Sequence, residues 1–215
     1  MTIRQRIMAW SYERTMTRYE NDAGPRRTGL LVNLGQRIVE LGPGSGVNLK
    51  HVNEAAEVPS DLEWIGVEPS APMREKLLLR AKTDCPDLKI RFADQENGII
   101  DVESSWADTV ICTLVLCSVP DQAAVLAEAH RILKPGGRLL FMEHVAAPRG
   151  SLLRAVQSVV TPFWMLLTDG CKLNRDTGAV LARAGFRHLE LVDYRTTPGA
   201  TPFFVRPHIY GTAVK

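Results

Sequence analysis

The sequence predicts an α/β fold built around a doubly wound, mostly parallel sheet. From Arg37 onward, strand-like apolar runs alternate with helix-like segments, which is the pattern of successive βαβ units. A glycine-rich turn, GPGSG, joins the first apolar run to the next helix. A later run, ADTVICTLVLCSV, is almost continuously apolar, as in a central parallel strand buried on both faces. These observations together favour right-handed crossovers with helices on both sides of one sheet.

The first three predicted strands are RIVELG, LEWIGVEP and LKIRFAD. A helix follows the glycine turn after the first strand, and another follows the second strand. Ser70 is the predicted N-cap of that second helix, and Pro72 lies in its first turn, where proline is tolerated. An irregular connection follows the third strand.

The second half of the chain continues the alternation, then departs from it. A largely apolar helical insertion interrupts the pattern after the fifth strand, and two further strands close the chain. The predicted elements are, in order, a strand over 107–119, the helix DQAAVLAEAHRIL ended by KPGG, the strand RLLFMEHV, the insertion 149–168, the helix DTGAVLARAGF, and the strands RHLELVDYR and PHIYGTAVK.

Size, charge and cysteine spacing narrow the classes of protein. A chain of 215 residues accommodates one substantial core, and a net charge of +2 argues against a nucleic-acid partner. The cysteines form no C-x-x-C pair and have no matching histidine spacing, so the sequence predicts neither a metal site nor a disulfide framework. A reducing cytoplasm is the expected compartment.

The N-terminal segment predicts an amphipathic helix. It carries charges throughout, which is not typical of a signal peptide, and no segment approaches the roughly 18 apolar residues of a spanning helix. Its apolar residues Ile3, Ile7, Trp10 and Met16 recur at near-helical spacing. We expect this helix to pack on the core as a cap, with peripheral contact to a membrane surface as the alternative.

The glycine turn indicates a bound nucleotide-like cofactor. Gly42, Gly44 and Gly46 have the spacing G-x-G-x-G. The dinucleotide fingerprint wants a small residue at position 47, where this chain has Val47, and no G-K-[ST] follows as a P-loop requires. The turn therefore suits close approach of backbone to a ligand, although glycine also permits tight strand-to-helix connections with no ligand.

Acidic residues follow the next two strands. Glu68 ends the second strand, where a carboxylate can accept hydrogen bonds from both hydroxyls of a ribose. Asp94 and Gln95 follow the third strand, where a polar side chain can meet an adenine amino group. The alternative for Asp94 is that it caps a turn.

In this order, the segments VELGPGSG, GVEPS, FAD, DTVICTLVLCSV and ILKPGGRLLFMEHV resemble the signature segments of class I S-adenosylmethionine-dependent methyltransferases. The resemblance implies a Rossmann-like, seven-stranded sheet whose last strand inserts antiparallel beside the fifth. It also implies S-adenosylmethionine as cofactor, with Gly42 to Gly46 along the methionine, Glu68 on the ribose, and Asp94 or Gln95 at the adenine. The other expected cofactor-contacting residues are Glu40, Pro69 and Thr113.

The last hundred residues are similar, more narrowly, to the vertebrate methyltransferase-like proteins that methylate small alkyl thiols. The segments FMEHV, FWMLLTDGCKLNR and RPHIYGTAVK carry this resemblance, together with CTLVLCSV. It implies a small acceptor, with a thiol as the leading candidate. The apolar insertion, as a wall over the acceptor site, favours a lipophilic one. Related bacterial enzymes act on phospholipid amines and quinone-type phenols, so these remain alternatives, as does a non-enzymatic scaffold. The vertebrate proteins begin with a hydrophobic anchor and this chain does not, so membrane residence is not carried over.

Three residues are candidates for a general base: His144, Asp169 and His208. His144 closes the fifth strand, at the edge where ligands of open α/β sheets bind. Each candidate also has a structural alternative: a backbone-bonded imidazole for His144, a helix-stopping turn for Asp169 and a packed strand-end side chain for His208. Neighbouring Glu143 is expected to form a cap or a salt bridge, and Cys171 to be a packed or pocket-lining thiol.

The sequence predicts one domain over residues 1–215. Its predicted parts are an N-terminal helical cap over 1–35, a cofactor-binding core over 37–145, an apolar insertion over 149–173 that lines the acceptor site, and a closing helix and strands over 174–215. The oligomeric state does not follow from the sequence.

Overall fold

A seven-stranded sheet organises the chain. In the computed structural model the described backbone covers residues 3–55, 61–168 and 170–215, and the described side chains begin at residue 16 and omit residue 55. The helices are α1 (Ile3–Leu30), α2 (Val47–Ala55), α3 (Ala71–Asp84), α4 (Gln122–Ile132), α5 (Leu152–Leu167) and α6 (Thr177–Leu181). The strands are β1 (Arg37–Leu41), β2 (Glu63–Val67), β3 (Lys89–Phe92), β4 (Gln95–Glu96), β5 (Ile99–Ile100), β6 (Ala107–Thr113), β7 (Leu133–His144), β8 (His188–Arg195) and β9 (Pro207–Val214).

The strand order of the sheet is β3-β2-β1-β6-β7-β9-β8. The pairs from β3 through to β7 are parallel, whereas β9 pairs antiparallel with both β7 and β8. The short strands β4 and β5 form a separate antiparallel pair. This topology confirms the predicted Rossmann-like fold, including the antiparallel strand inserted beside β7.

Both faces of the sheet are covered, which explains the continuous apolar runs in its central strands. Along β6, Val110 and Cys112 belong to one buried cluster, whereas the intervening Ile111 belongs to the cluster on the opposite face. Helix α4 contributes Leu126 to the first cluster, and α2 contributes Leu49 to the second. Each such buried aliphatic side chain stabilises the fold by about 1.5–3 kcal/mol relative to its exposed state.

Strand β6 ends earlier than the sequence predicts. The predicted strand continues to residue 119, but the observed strand ends at Thr113, and Leu114 adopts a left-handed φ of 59°. The carboxylate of Glu143 on neighbouring β7 accepts hydrogen bonds from the backbone N–H groups of Val115, Leu116 and Cys117. A buried side chain thus replaces the strand partner, so an apolar sequence continues as a tight loop.

Helix α1 extends to Leu30 and packs on the carboxyl edge of the sheet. Tyr19 and Ala23 form a small buried cluster with Met142 of β7, and Met16 packs against it. Of the predicted amphipathic face, the side chains of Ile3, Ile7 and Trp10 lie outside the described residues. Within the described part of the chain, no helix is both long and apolar enough to cross a membrane.

Helix α5 forms the predicted insertion. Ser151 caps it, since its hydroxyl oxygen accepts a hydrogen bond from the backbone N–H of Arg154. Gln157 and Thr161 face the core, and Gln157 bonds to the backbone at Val145, Ala147 and Phe204. The opposite face exposes large apolar side chains: Val159, Phe163, Leu166 and Leu167. The helix that follows is shorter than predicted, because α6 ends at Leu181.

Candidate active site

The candidate residues gather at one edge of the sheet. The carboxyl ends of the parallel strands β1, β2, β3, β6 and β7 meet there, as they must in an open parallel sheet. Strand β9 runs the other way, so its first residues reach the same edge. His144 at the end of β7 is thereby directly paired with His208 near the start of β9.

The glycine turn after β1 has the conformation that its sequence requires. Gly42, Gly44 and Gly46 have φ values of 57°, 55° and 80°, in the left-handed region that favours glycine. A Cβ atom added at Gly42 would lie 2.7 Å from Cγ2 of Val115, whereas one added at Gly44 would meet nothing within 4 Å. The turn therefore packs on the loop after β6 at one point and leaves open space beside its middle glycine.

Glu68 connects this turn to the end of β2. Its Oε2 accepts a hydrogen bond of 2.9 Å from the backbone N–H of Gly44, and its Oε1 accepts one of 2.9 Å from that of Ser70. The carboxylate is buried, and each oxygen keeps a second lone pair for a further donor. Ser70 is the N-cap residue of α3 but its side chain makes no capping hydrogen bond. Glu68 satisfies its backbone N–H instead.

The predicted adenine-facing residues lie beyond β3 and are exposed. Arg74 of α3 forms an ion pair of 2.9 Å with Asp94 and stacks over the ring of Phe92, 5.0 Å from its centroid. The side-chain amide of Gln95 donates to the backbone carbonyl of Gly98. Pro69 is exposed at the start of the connection to α3. Asp94 and Gln95 are thus exposed at this edge, and each has a protein partner.

Glu40 and Thr113 lie deeper, in a buried polar network. Glu40 accepts hydrogen bonds from the side-chain amide of Asn48 at 2.6 Å and the indole N–H of Trp64 at 3.1 Å. Burial raises the pKa of Glu40 to about 7, although these two hydrogen bonds oppose the shift. The hydroxyl oxygen of Thr113 accepts hydrogen bonds from Asn48 and Arg27. Glu40, in the strand that leads to the glycine turn, and Thr113, at the end of β6, are therefore both held by protein groups.

Arg27 ties helix α1 to that network. Its guanidinium forms a two-point ion pair with Glu20, at 2.8 and 3.0 Å, and also donates to Asn48 at 2.5 Å. Glu20 lies 3.2 Å from His51 Nε2 of α2 as well. The side chain of Arg27 is almost completely buried. An arginine is buried in this way only when carboxylate and carbonyl acceptors surround it.

Cys117, His144 and Cys171 form a buried cluster on the other side of the β6 loop. His144 Nε2 lies 2.8 Å from the sulfur of Cys171, and the indole N–H of Trp164 donates to the same sulfur at 3.3 Å. The hydrogen bond from Cys117, with further bonds from His144 and Trp164, lowers the pKa of the Cys171 thiol despite burial. Burial acts to lower the pKa of His144, but its contact with Cys171 outweighs this and raises it.

His208 lies in an aromatic group beside this cluster. Its ring stacks with Tyr19 at a centroid distance of 5.4 Å and contacts Tyr194 at 5.1 Å. The two tyrosine hydroxyls lie 3.3 Å apart. Burial lowers the pKa of His208 to about 3, so the imidazole is neutral, and its Nδ1 donates to the carbonyl of Arg206. A cavity of about 720 Å³ opens beside His208 and Tyr194.

The structure thus brings two of the three predicted bases together. His144 and His208 have ring centroids 6.2 Å apart. Asp169 lies outside the described residues. Glu143 is fully buried and holds the β6 loop, as the expectation of a capping role requires, and burial raises its pKa to about 7.

Several site residues carry no sequence signal. Arg27 and Asn48 are ordinary polar residues of two helices, and only the packing of α1 on α2 reveals their contact. Cys117 and Cys171 are far apart along the chain, so a search for short cysteine spacings misses them. The sequence feature that marks this region is Trp164, which lies in an apolar segment shortly before a polar turn.

A glycine turn in left-handed conformation, an acidic strand end bonded to it, and this strand order define a Rossmann-like methyltransferase fold. The chain belongs to the methyltransferase family, since residues 6–191 match the family model described as a methyltransferase domain. It is 39% identical over 181 residues to the human thiol S-methyltransferase TMT1A. The aligned region covers 83% of this chain and 70% of that protein.

Solved structures share the fold at low sequence identity. One is an S-adenosylmethionine-dependent methyltransferase from Thermotoga maritima, with a TM-score of 0.65, 19% identity, and coverage of 96% of this chain and 95% of that chain. Another is phosphoethanolamine N-methyltransferase 2 from Haemonchus contortus in complex with S-adenosyl-L-methionine, with a TM-score of 0.65, 16% identity, and coverage of 89% and 52%.

Proposed function

We propose that this enzyme transfers a methyl group from S-adenosylmethionine to a small, lipophilic thiol. The observation that carries the acceptor assignment is the similarity to the human thiol S-methyltransferase over most of both chains. Two features of the site support it. The glycine turn and Glu68 suit the cofactor, and a buried, aromatic and sulfur-rich region adjoins them.

The cofactor fits the residues on the glycine side of the edge. Gly44 leaves open space beside the turn, and Glu68 is already oriented by two backbone N–H groups. Glu68 would hold the ribose, the turn from Gly42 to Gly46 the methionine part, and Asp94 or Gln95 the adenine. When bound, the cofactor supplies a sulfonium methyl group that is activated for displacement, so the protein chiefly provides position and exclusion of water.

The acceptor belongs on the other side of the β6 loop. Trp164, Tyr19 and Tyr194 supply apolar and aromatic surface there, and His208 is neutral and buried. Of the two predicted bases that the structure describes, His144 contacts a sulfur, through Nε2 and Cys171. A thiol needs only a modest shift to become thiolate, so positioning of its sulfur matters more than strong base catalysis.

The parts of the chain divide this work. In our proposal the single domain over 1–215 uses its N-terminal cap, 1–35, to cover the core, 37–145, which binds the cofactor. The insertion, 149–173, lines the acceptor site, and the closing segment, 174–215, completes the sheet. The contact of Trp164 with both Cys171 and Phe204 supports the role given to the insertion.

The test is methyl transfer from labelled S-adenosylmethionine to a panel of small alkyl thiols, phenols and phospholipid amines. We expect turnover of alkyl thiols by the wild type and loss of turnover in Glu68→Ala, because the ribose then loses its acceptor. Turnover of a phenol or lipid amine with no reaction on any thiol would overturn the acceptor assignment and retain the methyltransferase activity. Binding of S-adenosylhomocysteine with no turnover on the whole panel would favour a scaffold role instead.

We further propose a cytoplasmic enzyme that makes peripheral contact with membranes through α5. The outward face of this helix exposes Val159, Phe163, Leu166 and Leu167, and Phe163 is 69% exposed. An apolar helix face of this kind can bind to the surface of a membrane, and a lipophilic acceptor dissolved in that membrane could reach the enzyme there. In liposome pelleting the wild type should pellet and Phe163→Ser/Leu167→Ser should stay in the supernatant. Wild-type protein that remains unbound would contradict the proposal.

A further inference from the structure

Three chain segments bring soft ligand atoms to one buried point. Cys117 comes from the loop after β6, His144 ends β7, and Cys171 follows α5. All three residues are buried, and their ligand atoms lie within 4.8 Å of one another. Two thiol sulfurs and one imidazole nitrogen form a donor set typical of zinc.

One polar atom of the cluster is left without a partner. Nδ1 of His144 is buried and has no hydrogen-bond partner among the described residues, whereas Nε2 faces the sulfur of Cys171. A buried imidazole normally has both nitrogens satisfied, since an unmet polar group costs about 1–3 kcal/mol. An ion bound at Nε2 would fix the orientation of the ring but would leave Nδ1 without a protein partner.

Further polar groups surround the two sulfurs. The indole N–H of Trp164 donates to Cys171 at 3.3 Å, and the hydroxyl of Ser118 lies 3.5 Å from the sulfur of Cys117. A donor such as the Trp164 indole N–H stabilises negative charge on a metal-bound thiolate and fixes the orientation of the ligand, whereas either Ser118 or Cys117 could donate in their contact.

We propose that Cys117, His144 and Cys171 bind a zinc-like metal ion whose fourth coordination position receives the acceptor thiol. The second half of this inference rests on the proposed thiol methylation. A tetrahedral ion with about three protein ligands and one exchangeable position is the arrangement of catalytic zinc sites. Binding requires both thiols to lose their protons, so the ion would replace the hydrogen bond between His144 Nε2 and Cys171 Sγ.

The positive charge of the ion would favour deprotonation of the acceptor thiol inside a buried site. A thiol that coordinates zinc releases its S–H proton to solvent and binds as thiolate. The acceptor sulfur would then form a bond to the methyl carbon of S-adenosylmethionine while the bond from that carbon to the sulfonium sulfur breaks. The electron pair of the broken bond would stay on S-adenosylhomocysteine, which leaves, and the methylated acceptor would be a neutral thioether. A neutral thioether is a weaker ligand than a thiolate, so the product can leave.

The first test is metal content of the full-length enzyme purified without chelator under reducing conditions. Mass spectrometry for metals should find about one zinc per chain in the wild type, and a background level in Cys171→Ser and His144→Gln. Cys85→Ser is the matched control, because Cys85 is a buried thiol that donates to the carbonyl of Leu49, away from the cluster. Trp164→Phe, which loses only the indole N–H that donates to Cys171, should bind zinc about tenfold more weakly.

The second test needs no variant and therefore does not depend on how the variants fold. Wild-type protein loaded with Co²⁺ should show a thiolate-to-cobalt charge-transfer band, and ethanethiol should change the visible spectrum by entering the fourth position. Failure of the metal-free wild type to bind either Zn²⁺ or Co²⁺, or a Cys117–Cys171 disulfide in the purified protein, would overturn the inference. A cobalt spectrum insensitive to ethanethiol would overturn the role given to the fourth position.

The same preparations separate this inference from the proposed function. Full thiol methylation by metal-free enzyme would overturn the metal inference and leave the thiol assignment standing. Stoichiometric zinc and a thiol-sensitive cobalt spectrum, with no methylation of any thiol, would support the metal site and overturn the thiol assignment.

Discussion

Single residues at the carboxyl edge of the sheet contribute either a backbone conformation or a hydrogen-bonding side chain. Gly42 and Gly44 provide backbone shapes that other residues adopt only with strain. Glu40 and Glu68 are both buried carboxylates, yet they differ in their partners: Glu68 accepts from backbone N–H groups, whereas Glu40 accepts from side chains. These differences allow the roles of the residues to be tested one at a time.

Gly42→Ala should destabilise the enzyme through two effects. The left-handed φ of 57° strains any residue with a Cβ, and that Cβ would lie 2.7 Å from Val115. We expect the free energy of unfolding to fall by about 2–3 kcal/mol, measured by urea denaturation. Gly136→Ala is the matched control, because Gly136 has a φ of 79° and no neighbour within 4 Å of the added Cβ. Equal losses in the two variants would show that the contact with Val115 contributes nothing.

Glu40 should make the enzyme less stable as the pH rises. Its pKa is about 7 in the folded state and 4.5 ordinarily, so the folded state retains a proton that the unfolded state has lost. Stability therefore falls between about pH 4.5 and 7, by roughly 3 kcal/mol in total. Glu40→Gln removes this titration, so between pH 5 and 8 the wild type should lose more unfolding free energy than the variant. The same pH dependence of the unfolding free energy in the wild type and in Glu40→Gln, measured by urea denaturation, would contradict a raised pKa of Glu40.

At the scale of elements, α5 separates its faces. Gln157 and Thr161 anchor its inner side, and Trp164 continues that side toward Cys171 and Phe204. The outer side presents Phe163 to solvent. The two neighbouring aromatic residues therefore have different environments, which makes them a natural pair for mutation.

Trp164→Ala should weaken acceptor binding with little effect on the cofactor. Loss of the indole removes aromatic surface and the donor to Cys171, so we expect the Michaelis constant for the thiol to rise about tenfold or more. The dissociation constant of S-adenosylhomocysteine, measured by calorimetry, should change little. Phe163→Ala is the control, with both constants near wild type in detergent-free assays of a soluble thiol. Parallel loss of both affinities in Trp164→Ala would indicate a general role in folding.

Most elements follow from the sequence, and the exceptions have identifiable causes. Periodicity and turn residues predict the seven sheet strands and the helices α2 to α5, because local preference and burial agree there. Strand β7, however, begins at Leu133 and not at the predicted Arg138. The end of β6 does not follow, since the partner that replaces the strand is Glu143 on another strand. Likewise the glycine turn and Glu68 are evident from spacing, whereas the meeting of Cys117, His144 and Cys171 depends on tertiary packing.

In the molecule as a whole, the loop after β6 connects the two parts of the proposed active site. The glycine turn contacts this loop through Val115, and the sulfur cluster begins two residues later at Cys117. The buried carboxylate of Glu143 accepts a hydrogen bond from the backbone N–H of Val115 in this loop. Helix α1 contacts both parts, because Arg27 bonds to Asn48 on the proposed cofactor side and Tyr19 stacks on His208 on the proposed acceptor side.

Arg27→Leu should therefore affect both the stability of the enzyme and its cofactor affinity. The substitution leaves Glu20 without its guanidinium partner and removes a donor from Asn48 and Thr113, so we expect a loss of about 3 kcal/mol in unfolding free energy and weaker S-adenosylhomocysteine binding. Adding Glu20→Gln should recover part of the stability, because no uncompensated carboxylate then remains. The exposed Arg18→Leu controls for loss of a positive charge on α1. Reduced stability with unchanged cofactor affinity would confine Arg27 to folding, and would show that α1 covers the site without helping to shape it.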